Sequence, residues 1–263
     1  MKVMIKNRKD QKISVLFEKA KNQKGLAFIM HGLGGFKEQD HVRTFGNSFK
    51  ERGFSIVYFD TTNTLGESDG KYEDATITNY YEDLEDVINW ASNQEWYQEP
   101  FCLSGHSLGG ICTALYAENF PEKVLAVAPI SPVVSGQLSM DASRKFETKD
   151  LEEWEKTGWL IKKSSSKYGV IKKLKWSHMT DRLKYDLIPK VDRLTMPVLL
   201  LVGENDTTTP PEHIETLYSQ IPTDKKEYHI IRGATHTFRE SQHLSKIKSL
   251  FLAWIDKYAL NKK

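Results

Sequence analysis

The sequence has little of several things. Two cysteines, Cys102 and Cys112, are too few for a disulfide framework or a four-cysteine zinc site. The first lies in an apolar run and the second in an expected helix, so both read as small core residues suited to a reducing compartment. Long apolar runs are missing. Pro197 to Val202 falls far short of the ~18 residues that a membrane span needs. The opening Met-Lys-Val-Met-Ile-Lys-Asn-Arg-Lys-Asp carries charge but no apolar stretch of the kind a secretory signal shows. Neither sign of charge dominates: 37 Lys+Arg against 35 Asp+Glu leave a net charge of +2. Dedicated nucleic-acid binders usually show a strong basic excess, so that class is not expected. There is no internal repeat, low-complexity tract or Pro/Gly/Ser linker. No H-E-x-x-H occurs, and no His/Cys cluster has metal spacing. Gly32-Leu33-Gly34-Gly35-Phe36-Lys37 has Lys where G-x-G-x-x-G needs its last glycine. Gly66 to Lys71 is one residue short of a P-loop, with Tyr72 where Ser/Thr would bind magnesium. The expectation is a cytoplasmic protein without cofactor or metal, with no nucleic-acid partner and no stable membrane association. Its oligomeric state stays open.

What is present is ordinary for a globular chain. Of 263 residues, 39% are hydrophobic and 27% charged, and 16 glycines bring the apolar share to about 45%. That excludes a disordered chain, and the length suits one large α/β domain or two small ones. Ile13 to Phe17, Leu26 to Met30, Phe54 to Phe59, Phe101 to Leu103, Val124 to Ile130, Val198 to Val202 and Tyr228 to Ile231 read as strands. Asn79-x-x-Glu82 resembles a capping box, opening a helix with Tyr80, Leu84, Val87, Ile88 and Ala91 on one face. Leu108 to Asn119 reads as a helix stopped by Pro121. A last helix carries Leu244, Ile247, Leu250, Phe251, Trp254, Ile255 and Tyr258. Strands alternating with amphipathic helices predict an α/β fold, a mostly parallel central sheet with helices on both faces. From about 135 to 190 no clear strand is visible. Trp154, Trp159, Trp176, Tyr168 and Tyr185 lie there among many lysines. The stretch reads as a helical cap inserted within a single domain, 1–263.

Gly105-His106-Ser107-Leu108-Gly109 is a G-x-S-x-G. The pattern alone is weak, but an apolar strand runs into it and a helix leaves it, the context of a nucleophile elbow. A sharp strained turn lifts the serine Oγ above the sheet, so the residues two away on either side must lack a Cβ. Gly66-Glu67-Ser68-Asp69-Gly70 matches the same pattern without that context. Thr61 to Thr64 separate it from a strand, acidic residues flank it, and no apolar helix follows, so Ser68 reads as a loop residue.

A serine hydroxyl needs a base to take its proton. Of eight histidines, His236 lies in the loop after the last apolar strand, at the carboxyl end where parallel-sheet proteins place their sites. His106 adjoins Ser107 along the chain, so its ring should point elsewhere. The imidazole needs a carboxylate to set its tautomer. Asp206, in Gly203-Glu204-Asn205-Asp206 after a buried strand, is the choice, with Glu204 second. The order Ser107, Asp206, His236 is that of α/β-hydrolases and of neither protease type. The oxyanion of a tetrahedral intermediate needs preorganised N–H donors. Leu108, following the nucleophile, supplies one. Leu33, in His31-Gly32-Leu33-Gly34-Gly35, supplies the other, with Gly34 second.

These segments together with Gly233-Ala234-Thr235-His236 resemble the α/β-hydrolase superfamily over the whole chain except the insertion. The closest flavour is bacterial carboxylesterases, including cinnamoyl (feruloyl) esterases and monoacylglycerol lipases, which carry a lid or cap in that place. The Gly66–Gly70 segment looks like the superfamily's loop after an early strand. That loop usually reads D-x-x-G-x-G-x-S-x-G. Here Asp60 to Gly70 is longer by one residue and has Asn63 for the first glycine. The resemblance implies cofactor-free hydrolysis of small-molecule carboxylic esters through an acyl-enzyme. The same triad also serves thioesterases and small-peptide hydrolases, and a non-catalytic ligand-binding protein on this fold is the alternative of another class. In the cap, Lys162, Lys163, Lys167, Lys172, Lys173 and Lys175 crowd around Trp159, Tyr168 and Trp176. They read as a solvated helical face, or else as a basic patch for an anionic substrate or a membrane surface.

Overall fold

A computed structural model describes residues 1–164 and 167–260. Residues 165–166 and 261–263, which the cap and domain readings span, lie outside the described residues. In chain order the elements are β1 (Lys2–Lys6), β2 (Lys12–Glu18), β3 (Gly25–Met30), α1 (Asp40–Glu51), β4 (Phe54–Phe59) and α2 (Ile77–Ala91). There follow β5 (Phe101–His106), α3 (Leu108–Asn119), β6 (Val124–Ile130), α4 (Gly136–Phe146), α5 (Thr148–Thr157), β7 (Trp159–Lys163), β8 (Ile171–Lys175) and α6 (Ser177–Arg182). β9 (Val198–Gly203), α7 (Pro211–Gln220), β10 (Lys226–Ile231) and α8 (Ser241–Trp254) complete the chain.

Eight strands form one sheet in the order β1-β2-β4-β3-β5-β6-β9-β10. β2 pairs antiparallel with β1 and β4, and every other neighbouring pair is parallel. The central strands are apolar on both faces because helices cover both. Their side chains alternate between two apolar layers with the period of a strand. Phe28, Leu103 and Leu200 join Tyr80, Leu84 and Val87 of α2 and Ile111 of α3. Their neighbours Ile29, Cys102, Leu199 and Leu201 join Phe45 and Phe49 of α1 and Phe251 and Trp254 of α8. The parallel strands thus end together on one edge, and the loops after β3, β5, β9 and β10 meet there.

Three details differ from the expectations drawn from sequence. The cap of α2 is Thr76, whose Oγ1 accepts the Asn79 N–H at 3.0 Å. Asn79 is already inside the helix, and its side chain instead donates to Thr62 Oγ1 and the Asp83 carboxylate. Strand β1 and helices α1 and α7 also carry structure where none was expected.

The third difference is the insertion. The chain leaves the sheet between β6 and β9, but this stretch is not wholly helical. β7 and β8 form an antiparallel hairpin between α5 and α6. Its alternation is hidden because lysines occupy inward positions and isoleucines outward ones. Ile161 and Ile171 are 59% and 61% exposed, while Leu160 and Leu174 pair on the other face. The Lys173 and Lys175 side chains therefore sit on a strand, not on a solvated helical face. Among the described residues no helix is long and apolar enough to cross a membrane.

Candidate active site

Ser107 stands between the end of β5 and the first turn of α3, with φ 54° and ψ −112°. A non-glycine residue rarely adopts such a conformation, so the surroundings must hold it. They do so by close backbone approach. A Cβ on Gly105 would run into the backbone of Gly109, and one on Gly109 into the His31 carbonyl. The Ser107 N–H is tied to Ile130 O at 2.9 Å, and its carbonyl accepts from Ile111 N at 3.1 Å.

His236 and Asp206 reach this serine from the loops after β10 and β9. His236 Nε2 lies 2.9 Å from Ser107 Oγ, and His236 Nδ1 lies 2.7 Å from Asp206 Oδ2. A proton on Nδ1 donated to the carboxylate leaves Nε2 as an acceptor for the Ser107 hydroxyl. Asp206 is buried and densely solvated by protein: Oδ1 accepts from the N–H groups of Thr208 and Thr209, both at 2.9 Å, and Oδ2 from Thr209 Oγ1 at 3.0 Å. Burial alone would raise its pKa. The facing His236 and the Thr209 donors outweigh that and hold the carboxyl below its ordinary range. Glu204, the second candidate, is exposed, and its carboxylate takes the Gly233 N–H at 2.7 Å.

The loop after β3 lies against the Ser107 turn, since a Cβ on Gly32 would meet the Ser107 side chain. The N–H of Gly34 donates to Tyr80 Oη at 3.3 Å, and that of Gly35 to Gly32 O at 2.9 Å. The Leu33 N–H makes no hydrogen bond among the described residues. Leu108 opens α3, so its N–H has no partner within the helix.

Supporting residues that the sequence did not reveal surround this group. His106 does point away from Ser107, and its Nε2 lies 2.7 Å from the carbonyl of His236, bracing that residue from behind. His31 donates from Nδ1 to Gly32 O at 2.8 Å and accepts the Thr61 N–H at Nε2, joining two loops. Thr209 bridges Asp206 to Ser131 O at 3.1 Å. The available signal was slight: a histidine inside the elbow, and Thr207-Thr208-Thr209 just after the acid. Ser68 is elsewhere, accepting the Ser14 N–H at 2.8 Å and donating to Asp60 O at 2.7 Å. It belongs to a loop anchored on the buried Lys37–Asp60 pair, 2.6 Å apart, to which Glu67 adds a second carboxylate at 2.7 Å.

A cavity of about 190 Å³ opens over Ser107, walled by Leu33, His106, Val133 and His236 among others. A second of about 210 Å³ extends beneath the insertion, walled by Tyr72, Trp154, Leu160 and Leu174. Leu33, Lys172, Arg182 and Thr208 border both.

The Hydrolase_4 family, described as serine aminopeptidase, S33, matches residues 21–242, a span that holds Ser107, Asp206 and His236. The chain belongs to this family. This Hydrolase_4 chain is 25% identical over 261 residues to an uncharacterised 31.7 kDa protein in the traX-finO intergenic region of Escherichia coli, covering 89% of this chain and 91% of that one. It is 24% identical over 209 residues to the mitochondrial palmitoyl-protein thioesterase ABHD10 of Bos taurus, covering 79% and 65%. Among solved structures, Est1E of Butyrivibrio proteoclasticus with ferulic acid bound matches with a TM-score of 0.80 at 22% identity, over 98% of this chain and 99% of that one. Mouse alpha/beta hydrolase domain-containing protein 10 matches at 0.78 and 20%, over 98% and 99%. The fold is that of the α/β-hydrolases, and this Hydrolase_4 member resembles bacterial esterases.

Proposed function

We propose that the protein is a serine hydrolase that cleaves small-molecule carboxylic esters through an acyl-enzyme on Ser107. One domain, 1–263, carries the site, and the insertion near 135–190 is its cap. The observation that carries this reading is the unbroken hydrogen-bonded series from Ser107 Oγ through the His236 ring to the Asp206 carboxylate, mounted on a strained turn. His236 Nε2 takes the hydroxyl proton as Oγ bonds to the ester carbonyl carbon. The carbonyl oxygen becomes an anion held by the N–H groups of Leu33 and Leu108, each worth roughly a factor of 10²–10³ in kcat. The intermediate collapses, the C–O bond to the alcohol breaks, and the alkoxide leaves with the proton from His236. Water repeats the sequence on the acyl-enzyme and releases the acid, restoring the Ser107 hydroxyl. Asp206 stays ionised and stabilises the imidazolium.

The test is hydrolysis of a short p-nitrophenyl ester together with labelling by a serine-reactive phosphonate and peptide mass mapping. Wild type turns over and is labelled at Ser107 alone. Ser107→Ala loses turnover by several orders of magnitude, whereas Ser68→Ala retains it. Label on Ser68, or full activity in Ser107→Ala, overturns the assignment. A second reading, thioester cleavage by the same residues, is favoured by the relatives named as palmitoyl-protein thioesterases. It replaces the alkoxide by a thiolate leaving group. Comparing palmitoyl and butyryl thioesters with the matching oxygen esters separates the two, and an aminoacyl amide tests the activity in the family's description.

A further inference from the structure

The hairpin turns two of its five lysines, Lys162 and Lys172, inward rather than to solvent. Lys162 and Lys172 stand directly opposite each other in the β7–β8 register and both border the cavity beneath the insertion. Like charges opposed across two strands are destabilising, and here they face inward while Ile161 and Ile171 face solvent. Lys162 is compensated by Glu147 at 3.0 Å and Asp150 at 2.8 Å. Lys172 is not. No carboxylate lies within ion-pair distance of it among the described residues, and its one cation–π neighbour is the Tyr72 ring at 5.5 Å. Burial, and then the charges of Lys162 and Arg239, draw its pKa below the usual lysine range.

A second cation stands close by in the wall. Arg182 is only 9% exposed and has no carboxylate within ion-pair distance among the described residues. It donates from Nη1 to Ser139 Oγ at 2.6 Å and from Nη2 to His178 Nε2 at 2.5 Å, and its Nε–H has no partner. His178 is able to accept because burial and Arg182 itself push its pKa down to about 3, leaving the ring neutral. A guanidinium buried without a counter-ion is strongly unfavourable unless something supplies the charge. Glu147 is the single acidic residue bordering either cavity among the described residues, and Lys162 already holds it. Leu33, Leu160, Leu174 and Trp154 supply apolar wall between these cations.

We propose that this cavity is an anion subsite: Lys172, backed by the field of Arg182 and by Lys162 across the hairpin, receives a carboxylate carried on a short methylene chain of the ester substrate. The subsite rests on the reading of Ser107 as the reacting group, because Lys172 and Arg182 border the Ser107 cavity as well.

The experiment measures binding apart from turnover. Ser107→Ala protein is titrated calorimetrically with two matched pairs. Monomethyl adipate against methyl hexanoate places the anion on the acyl side. 5-Acetoxypentanoate against pentyl acetate places it on the alcohol side. At least one anionic member binds tenfold or more tighter than its neutral partner. Adding Lys172→Met brings that ratio close to one, Lys172→Arg keeps it, and Lys173→Met on the outer face leaves it unaltered. Wild-type kcat/KM on the same esters follows the same ratio. No preference in either pair overturns the subsite, as does an equal loss in Lys173→Met, which would make the preference one of overall charge. If wild type turns over none of the esters, the hydrolase reading fails while the binding ratio still decides the subsite.

Discussion

Glu118 lies near the end of α3, the helix that begins at the candidate nucleophile, and it is fully buried. Neither carboxyl oxygen has a hydrogen-bond partner. Burial pushes its pKa up to about 8, against a smaller opposing pull from Lys190. An unfolded glutamate titrates near 4.3. The folded pKa is the higher of the two, so the folded state holds a proton that the unfolded state gives up. Stability is unaffected below about pH 4 and falls as pH rises from there, levelling off only above about pH 8. At 1.36 kcal/mol per pKa unit, the loss is about 3.6 kcal/mol at pH 7 and approaches 5 kcal/mol at pH 9. Glu118→Gln replaces the carboxyl with a group of the same shape that cannot ionise. Urea unfolding of wild type and variant at pH 5, 6, 7 and 8 should show a gap in favour of the variant. It widens by about 1.4 kcal/mol per pH unit below about pH 7 and corresponds at pH 7 to roughly 7–14 °C in Tm. Other titrating groups cancel in the difference, provided they do not touch Glu118. A gap of constant size across that range would show that the buried carboxyl is not protonated in the fold, and would refute the reasoning.

Three further outcomes follow from the site. Asp206→Asn keeps the shape but loses the charge and, with Oδ1 still held by the Thr208 and Thr209 N–H groups, turns its NH2 toward His236 Nδ1, so kcat on a short p-nitrophenyl ester should fall by about 10³–10⁴ while the fold persists by circular dichroism; a loss under tenfold would remove Asp206 from its role. His106→Phe keeps a ring against His236 but loses the hydrogen bond to its carbonyl, and should lower kcat/KM by about tenfold at a stability cost of about 1 kcal/mol. An unchanged kcat/KM would make His106 a packing residue only. Trp154→Ala enlarges the cavity beneath the insertion and should shift acyl-chain preference to longer esters, at about 3–5 kcal/mol in stability. Trp159→Ala, 37% exposed on the outer side of the hairpin, should leave the chain-length profile alone, and identical profiles in both variants would mean the cavity does not hold the acyl chain.

Much of the fold was legible because the central strands are uniformly apolar and their helices keep a clean 3.6 period. Val124–Ile130 falls at the expected bounds for that reason, and Leu108–Asn119, buried on nearly every side, is bounded instead by the elbow before it and Pro121 after it. The carboxyl ends of β5, β9 and β10 are also where G-x-S-x-G, the acidic loop and the histidine loop lie in sequence. What stayed hidden depends on contacts between distant segments. Thr76 wins the α2 cap over Asn79 because Asn79 is drawn into a buried network with Thr62 and Asp83. The hairpin escaped notice because its inward positions hold Lys162 and Lys172, reversing the usual polarity of a strand. His106, next to Ser107 along the chain, turns its ring away from that serine. The partner it turns toward, the carbonyl of His236, is 130 residues along the chain. Local spacing carries no trace of such a pairing.

The crowding of imidazoles around Ser107 has an electrostatic logic. The rings of His106 and His236 lie 4.7 Å apart, and those of His41 and His106 lie 4.6 Å apart. If all three could charge, the imidazolium formed in the proposed attack would face neighbours of its own sign. Burial prevents this. It pushes His41 down to about 3 and His106 well below the ordinary imidazole range, and it lowers His31 as well. His31 and His106 therefore act as neutral donors and acceptors that hold loops in place, while His41 packs as a neutral ring whose Nε2 has no hydrogen-bond partner. Asp206, kept ionised by His236 and Thr209, is the anion that faces the one ring left partly open to solvent. In the proposed reaction, a proton leaving Ser107 Oγ goes to the ring that Asp206 faces. The stacked loops that bury the other histidines also hold the serine in its strained turn, so one set of packing contacts positions both Ser107 and His236 for the roles proposed for them.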